Sequence, residues 1–151
     1  MIYFVAVLLK NIFEQGKDFP WVRPVKCLNR NCNHFKVWGH GFTPRYFDGF
    51  SGCVYMKCYR CPLCGCVMTC RPDTHFTRIQ TCKETIRALL ALRLETGHWL
   101  LSSLPPPRMR HWLANLKRKA LAHLTDSWQE GLLAAFDRLI ALRFVPVSRF
   151  M

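Results

Sequence analysis

Hydrophobic residues follow two different rhythms along this chain, and the change falls near residue 76. Before it, short β-prone runs alternate with Gly, Pro, Asn and Asp. The pattern predicts strands at Phe35–Trp38, Thr43–Phe47, Val54–Tyr59 and Cys66–Arg71. The opening MIYFVAVLLK predicts one further, buried strand. After residue 76 apolar positions recur every three or four residues, the spacing of a helix with one buried face. A first helix is expected from about Ile79 to Leu94, with Cys82, Ile86, Leu89, Leu90 and Leu94 as its stripe. Gly97 ends it, and a short helical turn follows at His98–Leu104. Pro107 suits the first position of the next helix, which runs to Leu121 with Met109, Trp112, Leu113, Leu116 and Ala120 inward. A last helix spans about Ser127–Leu142, with Asp126 as N-cap, Gln129 three residues on, and Trp128, Leu132, Phe136, Leu139 and Ile140 inward. The chain therefore reads as α+β: a β module over 1–75 and a helical module over 76–151. The tail RFVPVSRFM either stays loose or docks by its aromatics.

Charge adds a functional constraint. Twenty-two Lys and Arg face nine Asp and Glu, a formal +13 over 151 residues. Both halves share the excess, with ten basic against four acidic residues up to position 75 and twelve against five beyond it. Such a field favours a polyanionic partner. The apolar start stops at Lys10, too short for a bilayer span, and it lacks a cleavable leader. The expected location is cytoplasmic, without membrane association, where the nine cysteines stay reduced.

Reduced cysteines at close spacing point to a metal. Cys61-Pro62-Leu63-Cys64-Gly65 is a tight turn whose two sulfurs can reach one ion; Gly65 permits a left-handed backbone just beyond it. Cys27 and Cys32 form a wider second pair, separated from the first by room for a hairpin. The reading is one structural Zn²⁺ on Cys27, Cys32, Cys61 and Cys64, a zinc ribbon. Cys58, two residues before Cys61, and His34, two after Cys32, remain alternative ligands. Cys53, Cys58, Cys66, Cys70 and Cys82 are expected to be core thiols, although the first four could hold a second ion.

The helix from Pro107 to Leu121 carries five basic residues between Arg108 and Lys119 and no acidic one. With Trp112 inward, Arg108, His111, Asn115 and Arg118 are expected outward, flanked by Arg110, Lys117 and Lys119. Arg can grip guanine and Asn adenine, while lysines suit phosphates. Helix, tight turn and helix match helix-turn-helix dimensions, and double-stranded DNA is the expected partner.

The run GHGFTPRYFDGFSGCVYMKCYRCPLCG, then PDTHFTR and a Leu-rich helix, resembles the zinc-ribbon and helix-turn-helix proteins encoded by bacterial insertion sequences. His40, Gly41 and Arg45 match that family's "HG…R" stretch, Arg60 to Gly65 its "R-x-C-x-x-C-G" in modified form, with Arg60 directly before Cys61, and Pro72 and Asp73 its turn. The resemblance implies a DNA-binding accessory or the front end of a transposase, with the C-terminal helix offered to a transposase or other protein. Catalysis is not expected: no H-x-E motif occurs, nine scattered acids suit no carboxylate triad, and four-cysteine ligation leaves no open position for water. Two non-enzymatic alternatives stand beside duplex DNA. One is an RNA-binding ribbon stacking bases on Phe35, Trp38, Phe42 and Tyr46; the other is a protein-interaction adaptor.

Overall fold

The computed structural model describes residues 1–32, 34–124 and 131–149. The chain is α+β and divides into two compact units, Met1–Thr81 and Cys82–Met151.

In the first unit the strands are β1 (Ile2–Val5), β2 (Trp38–Arg45), β3 (Val54–Arg60) and β4 (Val67–Pro72), in the order β1-β4-β3-β2. The last three form an antiparallel meander. β1 joins it in parallel, with Tyr3 beside Cys70 and Val5 beside Pro72. The N-terminal strand is shorter and more exposed than its apolar run predicts: only Val5 is buried. Tyr3 and Val5 pack into the core, and Ile2 and Phe4, which alternate with them, lie on the other face and remain in solvent. A helix that the sequence pattern did not announce follows, α1 (Leu9–Gln15). Leu9 and Ile12 bury its inner side against Phe47, Val54 and Met56, and Lys10 pairs with Glu14 outside. Its start has no side-chain cap, so the usual sequence marker is missing. The two strands expected at Phe35–Trp38 and Thr43–Phe47 are one strand, β2, which begins at Trp38 and ends at Arg45, with a register shift between Gly39 and Phe42 that bends it.

In the second unit, α2 (Lys83–Thr96), α3 (Pro106–His123) and α4 (Leu132–Ala141) pack on one another. Ile86, Leu90, Met109, Trp112, Leu116, Phe136 and Leu139 make the core. Gly97 closes α2 in a left-handed conformation at φ 75°, and its N–H caps Arg93. Arg87 grips Asp137 with two hydrogen bonds of 2.8 and 2.7 Å, joining α2 to α4. The expected turn of helix at His98–Leu104 does not form. His98 N–H donates to Thr96 Oγ1, and Leu104 N–H to Ser102 Oγ, so side chains take the backbone bonds a helix would need. Residues 97–105 thus form a non-helical link, longer than the tight turn of about 3–4 residues in a helix-turn-helix. Asp126, Ser127, Trp128 and Gln129, assigned to the start of the last helix, lie outside the described residues. The apolar side of α4 faces its own unit, where Ala135, Phe136 and Leu139 are buried. No helix among the described residues is long and apolar enough to cross a membrane.

The C-terminal segment docks, and it changes the character of α3. Val147 is buried, and the Phe144 ring stacks on His123 at 4.2 Å between centroids. Asn115 is only 1% exposed and Lys119 7%. The Asn115 side-chain amide donates to Val147 O at 3.1 Å, and Lys119 Nζ donates to Val145 O at 2.6 Å. Both residues were expected on the DNA-facing side, and both are inside. A helix turns about 100° per residue, so Asn115 lies about 60° from Trp112, within an arc that the tail widens. Asn115→Ala would leave the Val147 carbonyl without its partner and should cost about 1–3 kcal/mol of stability in urea unfolding. An unchanged unfolding midpoint would contradict this role.

Candidate metal centre

Two backbone turns bring four sulfurs together. In the first, Cys32 N–H donates to Asn29 O at 2.9 Å and Cys27 N–H to His34 O at 2.8 Å, closing the loop between the two cysteines. In the second, which joins β3 to β4, Gly65 N–H donates to Cys61 O and Cys61 N–H to Cys66 O, both at 3.0 Å. Gly65 sits at φ 71°, a left-handed conformation that a side chain would strain. Cys27 and Cys61 are buried in the core beside Val37, Tyr59 and Met68; Cys32 is half-buried and Cys64 exposed.

The sulfurs of Cys27, Cys32, Cys61 and Cys64 all lie within 4.8 Å of one another. Cys27 Sγ is 3.6 Å from Cys64 Sγ, and Cys32 Sγ is 3.7 Å from Cys61 Sγ. These separations are far too long for disulfides. They match the edge of a tetrahedron: metal–sulfur bonds of about 2.3 Å place neighbouring sulfurs about 3.8 Å apart. The cluster is the single group of this kind among the described residues. His34 contributes its backbone carbonyl to the first turn, and its ring is not in the cluster. Cys58 lies elsewhere, its sulfur 3.2 Å from Thr43 Oγ1 and 3.6 Å from Thr69 Oγ1. Cys70 is buried, which pushes its thiol up to about 12 and suits a core position.

The electrostatics explain why such a cluster calls for a cation. A backbone N–H from Cys66 reaches Cys64 and, with hydrogen bonds from Cys27, Cys32 and Cys61, brings its thiol down to about 6. At Cys27 the N–H of Asn29 pulls the other way, 3.4 Å from the sulfur. Burial and the neighbouring Cys64 and Cys61 outweigh it and push Cys27 up to about 12. Cys32 is raised too, its hydrogen bond from His34 overcome by burial and the other thiols. One thiolate forms readily, and its charge then opposes the next. A divalent ion removes that opposition and lets all four ionise.

The geometry expects one metal ion per chain. A Cys61→Ser, Cys64→Ser double variant should lose it, whereas Cys53→Ser should keep it, as measured by elemental analysis of the purified proteins. Full metal retention in the double variant would exclude this site. The chain has no match among protein-family models, curated proteins or solved structures, so the site rests on its own geometry: four cysteines close enough to hold one metal ion.

Proposed function

We propose that this is a zinc-stabilised nucleic-acid-binding protein without catalytic activity, with duplex DNA as its partner. Four cysteine ligands, which leave no open position for water, suit a structural Zn²⁺, and the ion would complete a zinc ribbon in the first unit. The ion would offset half the charge of its ligands and leave the chain near +11, from a formal +13.

The observation that carries the reading is the solvent side of α3. The helix contains no acidic residue, and Arg110, His111, Lys117 and Arg118 stand exposed along it. Arg110 and Lys117 line a shallow depression of about 350 Å³ together with Arg93 and Trp99, whose ring lies 5.6 Å from the Arg93 guanidinium. Three cations and an aromatic around one hollow suit a phosphate backbone beside a groove. Arg108 is half-buried at the edge of this face. Asn115 and Lys119 are committed to the tail, so Asn115 is not available to read adenine. The nine-residue link between α2 and α3 argues for a basic helix face rather than a helix-turn-helix grip. The resemblance to insertion-sequence proteins agrees with a DNA partner and an accessory role.

One observation favours a second reading, single-stranded RNA. Phe35 is 77% exposed, Trp38 56% and Tyr46 66%, and Lys57 Nζ sits 4.3 Å from the Phe42 ring centre. Exposed rings beside cations stack unpaired bases.

Replacing Arg110, Lys117 and Arg118 by Gln separates the two. On duplex DNA the slope of log K against log salt should flatten by about 3, one phosphate for each lost cation. An unchanged slope would remove α3 from the interface. Tighter binding of single-stranded RNA than of duplex, insensitive to these changes, would favour the second reading.

A further inference from the structure

An arginine-lined cavity in the first unit shares only Tyr46 with the readings above, and its arginines have no place in them. It measures about 620 Å³ and is lined by Arg45, Tyr46, Thr69, Arg71, Thr77 and Arg78 among others. Arg71 is its buried wall, 9% exposed, while Arg45 and Arg78 stand exposed. No carboxylate among the described residues pairs with any of the three. Buried cations are ordinarily neutralised. Arg71 instead spends two donors on its own loop: Nε to Phe76 O at 3.1 Å and Nη2 to Ile79 O at 2.6 Å. Its guanidinium also lies 5.2 Å from the Phe47 ring centre, and the rest of its fork is left for the cavity. Burial, and then the nearby Arg45 charge, both disfavour its protonated form, yet arginine does not give up its proton in proteins. The repulsion therefore stands until an anion enters.

Backbone strain marks the same spot. Arg78 holds φ 64°, in the left-handed region that a non-glycine residue seldom occupies. Strained positions persist where the surroundings over-determine them, and they gather at binding sites. Here the Arg71 fork bonds the carbonyls of Phe76 and Ile79 on either side of Arg78. One buried arginine thus fixes the loop that carries the second, opposite Arg45 at the end of β2.

We propose that this cavity binds the phosphate group of a nucleotide, held between Arg45, Arg71 and Arg78, with the base stacked on Tyr46. Planar guanidinium forks match phosphate oxygens two at a time, the Thr69 and Thr77 hydroxyls supply further donors, and an exposed tyrosine at the edge suits a base. A free mononucleotide and a strand both offer this phosphate, and the chemistry at the cavity is shared. The site is independent of α3.

The test uses the full zinc-loaded chain at low ionic strength, titrated calorimetrically with inorganic phosphate, adenosine monophosphate and a single-stranded oligonucleotide. Arg71 also organises its loop, so the informative variants are Arg45→Gln and Arg78→Gly. Glycine accepts the left-handed backbone, so Arg78→Gly should keep or raise the melting temperature while weakening adenosine monophosphate about tenfold, the scale of one lost charge-assisted bond. Tyr46→Ala should weaken the nucleotide and leave inorganic phosphate unchanged. Binding of adenosine monophosphate that survives in both arginine variants, or is undetectable in the unaltered chain, would overturn the site. Equal affinity for inorganic phosphate and nucleotide would overturn the stacked base. The Arg110, Lys117 and Arg118 variant should bind adenosine monophosphate normally, so failure here and failure of the α3 interface are distinguishable. Tighter binding of the oligonucleotide than of the mononucleotide, lost with Arg78→Gly, would identify a strand as the source.

Discussion

Four cysteine sulfurs lie within 4.8 Å of one another in the first unit, and like charges gathered at that distance would repel unless a cation stood between them. Cys27 and Cys61 are themselves core residues, packed with Val37, Tyr59 and Met68 under the sheet. The turn at Cys61–Cys64 joins β3 to β4, and the loop from Cys27 to Cys32 has few other anchors of regular structure. A metal bonded to both would therefore tie a long irregular segment to the sheet. A small unit with a thin hydrophobic core gains most from such a tie, because ion binding and chain ordering become one event.

The second unit is held differently. Its three helices share an apolar core, and the C-terminal segment completes it by offering carbonyls to Asn115 and Lys119. That choice decides which part of α3 can meet a partner. The inward arc takes Asn115 and Lys119, and the outward arc keeps Arg110, His111, Lys117 and Arg118 without an acid among them. A substitution at Asn115 therefore tests the packing of the tail, and one at Lys117 tests the proposed interface.

Much of this was legible in the residues, and the failures have a common cause. The cysteine spacing named the four sulfurs that come together, because ligand spacing is a local property of two turns. The three antiparallel strands and the helix starting at the prolines were also local signals. What the chain did not announce depends on distant partners. α1 lacks a capping residue and is recognisable only by what Leu9 and Ile12 bury. Asn115 and Lys119 looked outward until residues 145–148 covered them. The cavity is built from Arg45, Arg71 and Arg78, which stand far apart in sequence and carry no motif. At His98–Leu104 apolar composition suggested a helix, but Ser102 and Thr96 took the backbone donors.

The central claim is that a metal on Cys27, Cys32, Cys61 and Cys64 holds the first unit in its fold. Amide hydrogen exchange, followed residue by residue before and after complete chelation, tests it most directly. The account predicts that protection collapses in β3, β4 and the two cysteine turns when the ion is removed, while α2, α3 and α4 keep theirs. Undiminished protection across β3 and β4 in the metal-free protein would contradict it.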